Sequence, residues 1–369
     1  MLTLLVAVAQ TATLQAPSSA RAYRPHLVDF DAGEAHCDGR SVAVLRAVQP
    51  FTEVARLGAA PPRAVRMTFA LDRDGRPAGI TQRVEDSAPP FGFTPTADLA
   101  PALSLWRFAG GRPGTSCSIV FTPRIKPVDE AEKSDLFRVI ALRRPVMGDQ
   151  AALATRLRKI DCGGQRPPQV LLRAYPDKSR IAREPGAPAY SIVEFDIDPA
   201  GVPAHVAIAT SSGNAGLDRA AVDAAGRSRF AGNAPRTRCT VPVLLGPGDP
   251  IPAPPAPDRS AFRPQDSTCP DKLTWTRPIA LNYPDGFRRR AIEGWAMLSF
   301  DLAPWGEPGQ IKVLASEPAE AFGAQARQSL ATARANAPSG GAQGCVLKVT
   351  FRMPARVDDY AVEGADGDF

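Results

Sequence analysis

The chain has 369 residues, a formal net charge of +6, 44% hydrophobic and 22% charged side chains, and 38 prolines. That length exceeds one ordinary domain and predicts two or three. The composition fits globular domains with real cores, and the modest charge favours anionic envelope surfaces and is weak evidence for a nucleic-acid partner, so none is expected. In chain order, the first segment is apolar: "MLTLLVAVAQTATLQA" is too short to span a bilayer comfortably. It is followed by two small-x-small sites, "LQA" (14–16) and "ARA" (20–22). A signal peptide is expected over 1–22, although a basic leading segment is missing; a core strand or helix is the alternative.

Beyond it one unit recurs. The strings "FALDRDG" (69–75), "FDIDPAG" (195–201) and "FDLAPWG" (300–306) share the pattern F-x-[LI]-x-x-x-G. Alone the pattern is weak, but the six cysteines fall in step with it. Cys37, Cys162 and Cys269 lie 32, 33 and 31 residues before the motif phenylalanines. Cys117, Cys239 and Cys345 lie 48, 44 and 45 residues after them. Three copies of one unit explain that regularity.

"FDIDPAG" admits two readings, the start of a calcium loop or the tip of a β-hairpin. A calcium loop needs several oxygen ligands and a closing acid, and the acidic positions are not kept between copies. The closing glycine is kept, which is tight-turn chemistry, so the hairpin reading is preferred. The residues before each turn alternate with period two. One face carries Val65, Met67, Phe69 and Leu71, then Ser191, Val193, Phe195 and Ile197, then Ala296, Leu298, Phe300 and Leu302. The other face, with Arg66, Thr68, Glu194, Asp196, Ser299 and Asp301, is expected to be largely wet.

A return strand follows each turn, and then a helix. In the second copy Asn214 is the expected N-cap, and Leu217, Ala220, Ala221, Ala224 and Ala225 form an apolar stripe. In the first copy Pro101 predicts a shorter helix. A closing strand starts at the second cysteine of each unit. Pro242 lies in the second of these, so that strand must be an edge or be bulged there.

The resulting boundaries place a first, divergent domain at 23–124 and a charged linker at 125–140. A second domain is set at 141–245, a Pro-rich extended spacer at 246–260, a third domain at 261–357 and an acidic tail at 358–369. One disulfide per unit is expected: Cys37–Cys117, Cys162–Cys239 and Cys269–Cys345. Such pairs imply an oxidising compartment.

Residues 175–230 resemble the C-terminal domain of TonB-type energy transducers. The resemblance is carried by Tyr175-Pro176, Gly186, the Asp-Pro-x-Gly hairpin, "SSG" followed by "LDRAA", and "RSRF" at the helix end. Residues 282–306 repeat its first half with Tyr283-Pro284 and Gly294, and the first copy follows through the repeat spacing. The resemblance implies an α+β fold of three tandem TonB-C-terminal-like domains, each a small antiparallel sheet with a helix on one face. It further implies a periplasmic protein that adds an extended segment of a partner to a sheet edge. The partner class is a protein or peptide of the cell envelope, with an outer-membrane transporter as the family's example.

No catalytic, metal or cofactor site is expected. His26, His36 and His205 have no recognisable nucleophile or orienting acid, and nucleophile-elbow and phosphate-loop motifs are missing. Arg288, Arg289 and Arg290 form a basic cluster suited to phosphates or carboxylates of lipid or peptidoglycan, with a solvated helix face as the bland alternative. Trp295 and Trp305 are expected at the surface as interface anchors, with capping of the core as the equal alternative. A non-enzymatic exported binding protein is thus expected; an energy transducer and a structural envelope spacer are the alternatives.

Overall fold

The computed structural model describes residues 24–57, 61–85, 94–110, 114–142, 147–165, 168–233 and 235–353. The expected signal peptide (1–22) and acidic tail (358–369) lie outside the described residues. The fold is mixed α/β, with several small antiparallel sheets and six α-helices. The helices are α1 (Leu99–Ser104), α2 (Lys133–Leu142), α3 (Met147–Ile160), α4 (Ala215–Arg227), α5 (Asp285–Arg289) and α6 (Glu320–Ala331).

Each repeat builds the same ladder. In the second, the hairpin strand Ala189–Ile197 lies between the return strand Pro203–Ser211 and the closing strand Arg236–Leu245. In the third, Gly294–Leu302 lies between Pro308–Glu317 and Ala342–Phe351. In the first, Val65–Leu71 pairs with Pro77–Val84 on one side and with Ser116–Pro127 on the other. The motif phenylalanines Phe69, Phe195 and Phe300 are buried, each contributing about 1.5–3 kcal/mol by leaving water. Asn214 caps α4, accepting from the Leu217 N–H at 3.0 Å. α1 has 6 residues against 13 in α4 and 12 in α6.

The motif glycine has a second duty beyond the turn. Phe108, Phe230 and Ala335 each donate their N–H to the carbonyl of Gly75, Gly201 and Gly306, respectively, at 2.9 Å. All three glycines have positive φ, and a Cβ added to any of them would lie 2.0–2.1 Å from the carbonyl oxygen of that same partner. Asp198 serves the turn directly: its Oδ1 accepts from the N–H groups of Ala200 and Val202. Asp72 does the same for Asp74 and Arg76. These carboxylates are spent on backbone donors, as a hairpin tip requires.

Three disulfides close the repeats, Cys37–Cys117, Cys162–Cys239 and Cys269–Cys345, spanning 80, 77 and 76 residues. On the chain-entropy argument each is worth roughly 3–5 kcal/mol.

The repeats are not beads on a string. The first and third share one continuous hydrophobic core, running from Val28, Phe69 and Phe121 to Phe287, Phe322 and Phe351. The second has its own core around Val193, Phe195, Leu217 and Leu245. The stretch expected as a linker, 125–140, is structured. The first closing strand continues to Pro127, a 3-10 turn covers Val128–Glu130, and α2 follows. Leu136, Phe137, Val139 and Ala141, dispersed among charges, give α2 a buried side. With α3 it packs against Leu27 and Val54 of the first sheet and Ile192 of the second. Ile192 is therefore buried on the face expected to be wet. The Pro-rich stretch 246–260 is extended, but it is pinned rather than a free spacer. Ile251 exchanges backbone bonds with Ala291 and Glu293, and Gly248 donates to Glu184.

Candidate functional site

A β-strand turns the N–H and C=O of alternate residues to opposite sides, so an edge strand offers every second residue to a newcomer. In the first repeat the Ser116 and Val120 carbonyls accept from Asp38 and Gly33, both at 2.8 Å, on the side away from the hairpin strand. Counted from the closing cysteine, the outward positions are Ser118, Val120 and Thr122 in the first repeat. They correspond to Thr240, Pro242 and Leu244 in the second, and to Val346, Lys348 and Thr350 in the third.

The three edges differ in what lies on them. In the first repeat the chain's own strand Arg24–Ala32 occupies the outer side, antiparallel, from Ala32 opposite Phe121 to His26 opposite Pro127. Glu53–Leu57 then pairs with its far edge. Val28 and Phe30 enter the shared core. Asp31 accepts from Arg124 Nη1 at 3.0 Å, and Asp29, directly across from Arg124, lies 3.9 Å from its guanidinium. Asp29 also accepts from Thr52 Oγ1 and pairs with Arg138.

In the second repeat the edge is obstructed. Lys133 Nζ of α2 donates to the Arg238 carbonyl at 2.6 Å, pairs with Glu194 and lies 3.5 Å from Asp161. Pro242 has no N–H to offer. Burial pushes the Asp161 carboxyl up, opposed by the Thr240 hydroxyl bond and the Lys133 charge. Burial also works against ionisation of Glu194, but Lys133 and Arg238 outweigh it and hold its carboxyl below the usual range.

In the third repeat only the start of the closing strand is covered. Ser267 Oγ donates to the Gly344 carbonyl at 3.0 Å and Thr268 N–H to Gln343 at 3.1 Å. Ala342–Phe351 is the edge of its three-stranded sheet, and among the described residues no strand lies outside it. Lys348, Thr350 and Arg352 are exposed along it. A groove with Arg259, Arg263, Lys272 and Trp275 on its wall adjoins Val346 and Leu347.

The residues singled out from sequence separate into two groups. Arg290 is fully buried, with 0% of its side chain exposed. It makes a two-point ion pair with Asp98 and donates to the carbonyls of Gly186 and Gln49 at 3.1 and 2.9 Å. Its guanidinium sits 3.9 Å from the Phe51 ring centroid. Arg289 is largely covered and pairs with Glu53 at 3.2 Å. The expected basic patch or solvated face is thus reduced to Arg288, which pairs with Asp285 at the surface. The helix is only one and a half turns long, so its C-terminal arginines turn into the junction between repeats. Trp295, expected at the surface, is buried, and its indole N–H donates to Pro254 of the Pro-rich stretch at 2.9 Å. Trp305 is 66% exposed at the third hairpin tip.

His205 is exposed, with its Nδ1 2.9 Å from Asp196 Oδ2. Among the described residues no three acidic, cysteine or histidine side chains gather as a metal site. The strand Arg24–Ala32 and the cations Lys133, Lys348 and Arg352 were not anticipated. A signal for the last existed: "TPR" (122–124) and "TFR" (350–352) stand at the same distance from their closing cysteines.

The family described as Gram-negative bacterial TonB protein C-terminal matches residues 173–243 and 279–354. Among solved structures, the solution NMR structure of the Pseudomonas aeruginosa TonB CTD is 24% identical, covering 25% of this chain and 99% of that chain, with a TM-score of 0.22. No curated protein matches the chain. The two matched segments coincide with the second and third repeats and carry the same hairpin, helix and closing strand in the same order; residues 173–243 and 279–354 are TonB C-terminal-like domains.

Proposed function

We propose that the chain is an exported, periplasmic, non-enzymatic binding protein that captures an extended polypeptide of the cell envelope by strand addition to its third repeat. The observation that carries this reading is the outer side of 346–351, on which no strand lies among the described residues, a sheet edge flanked by Lys348, Thr350 and Arg352. Unpaired N–H and C=O groups supply affinity without regard to sequence, and the flanking side chains supply selectivity. The match to an interaction-module family supports a protein partner, and the three disulfides support an oxidising compartment. The reading treats the three repeats as three modules of which the first and second are closed and the third is open. It includes an outer-membrane protein as the partner class and does not extend to energy transduction.

The test is capture in the native compartment. A photo-reactive residue at Lys348 in the exported full-length chain should cross-link one recurring envelope protein, whereas the same residue at Ser118 should not. No recurring adduct at 348 would leave a structural spacer as the better description.

A further inference from the structure

The first repeat carries its own ligand. Arg24–Ala32 lies on the outer side of a closing strand, antiparallel, over seven register pairs. In the third repeat no strand lies on that side among the described residues. The strand alternates in character along its length: Val28 and Phe30 go into the core while Asp29 and Asp31 face Arg124 from the other side. The docked strand spans Phe121–Pro127, and the described part of the third repeat repeats the beginning of that receiving surface. Phe121 corresponds to Val349, Thr122 to Thr350 and Arg124 to Arg352, all counted from the closing cysteine. Val349 and Phe351 belong to the buried side, as Ile119 and Phe121 do, while Lys348, Thr350 and Arg352 are exposed. Arg124 is engaged by acids of the docked strand; Arg352 makes no ion pair among the described residues. The second repeat lacks the pattern, with Leu244 and Gly246 at the matching positions.

We propose that Arg24–Ala32 is an internal image of the partner, and that the third repeat selects an extended segment running antiparallel to Ala342–Phe351, with apolar residues at alternate positions and acids between them opposite Thr350 and Arg352. This rests on the strand-addition reading above and adds to it a polarity and a charge rule. The closing edge of the first repeat is occupied by that strand and is not offered to a partner.

The experiment uses the intact, disulfide-bonded protein and a fluorescent nine-residue peptide of sequence "RPHLVDFDA", carrying a photo-reactive group. Binding is read by anisotropy and the adduct is mapped by mass spectrometry. The adduct is expected on residues 345–352. Asp29→Asn with Asp31→Asn in the peptide should weaken binding about tenfold, since charge-assisted bonds are lost. Arg352→Glu in the protein should weaken it similarly, and a peptide with lysine at both acidic positions should recover binding to that variant. Thr350→Pro should cost about fivefold by removing the outward N–H opposite the peptide's second acid. Circular dichroism checks the fold. A neutral peptide of alternating threonine and valine separates the two claims. If it binds the same edge as tightly as the acidic peptide, or if charge reversal changes nothing, the charge rule is wrong and strand addition stands. If neither peptide cross-links to 345–352, both are wrong.

Discussion

Gly75, Gly201 and Gly306 close their hairpins at points where a methyl group has no room, because the carbonyl of the strand after the helix already fills the space. Two demands coincide there, a left-handed backbone and a close approach, and only glycine meets both. Gly201→Ala should therefore cost about 2–3 kcal/mol or more in urea unfolding, combining backbone strain with a clash against Phe230. Gly213 also has positive φ, but nothing lies within 4 Å of its added Cβ. Gly213→Ala should cost only about 1 kcal/mol, the strain alone. Equal costs at the two positions would mean the close approach is not felt.

At the scale of elements, the return strand of the first repeat is sealed by the third. Gly79 donates to Glu317 Oε2 at 2.8 Å, Ile80 to the Pro318 carbonyl at 2.9 Å and Gln82 to Glu320 Oε1 at 2.8 Å. Burial pushes the Glu317 carboxyl up, with the Gly79 bond opposing and the Asp72 charge adding to the shift. A raised carboxyl favours the fold when protonated. Its contribution is whole below the ordinary glutamate value, about 4.3, and is lost as pH rises through the raised value. Glu317→Gln keeps an acceptor for Gly79 without the charge. It should raise the melting temperature at neutral pH and flatten its fall between mildly acidic and neutral solution. An unchanged pH profile would show that Glu317 is better solvated than its burial implies.

Elements written in strong period-two alternation or anchored by a cap were legible in advance: the three hairpin strands, α4 with Asn214, and the shortened α1. Two kinds of element were not. α2 and α3 have their apolar residues scattered among charges, and they are held by packing between two sheets rather than by a clear stripe. Arg24–Ala32 reads as polar because its aspartates alternate with its core residues, and only the partner Arg124 explains them. The sheet edge proposed as the docking site came from the family resemblance, and Pro242 marked the second closing strand as an edge or a bulge. Which edge stays open depends on what packs outside it, and that is long-range information. The same holds for Arg290 and Trp295, polar or amphipathic side chains whose burial follows from neighbours 192 and 41 residues away.

Across the whole molecule, one buried cation joins the repeats. Arg290 of the third repeat binds Asp98 and the Gln49 carbonyl of the first, and the Gly186 carbonyl ahead of the second hairpin. Phe51 N–H also donates to Asp98, at 2.7 Å. Removing one partner leaves a buried charge uncompensated, so Asp98→Asn or Arg290→Met should destabilise by about 3–5 kcal/mol. The double variant should be less harmful than the sum of the two. Additive losses in urea unfolding would mean that the pair is not coupled.

Amide hydrogen exchange on the full chain, with and without an extended acidic peptide, tests the open-edge account most directly. The outward amides of Val346, Lys348 and Thr350 should exchange quickly in the free protein and become protected on binding, while the outward amides of Phe121's neighbours on the occupied first edge stay protected throughout. Slow exchange at 346–350 before any peptide is added, or protection that appears elsewhere in the molecule, would contradict it.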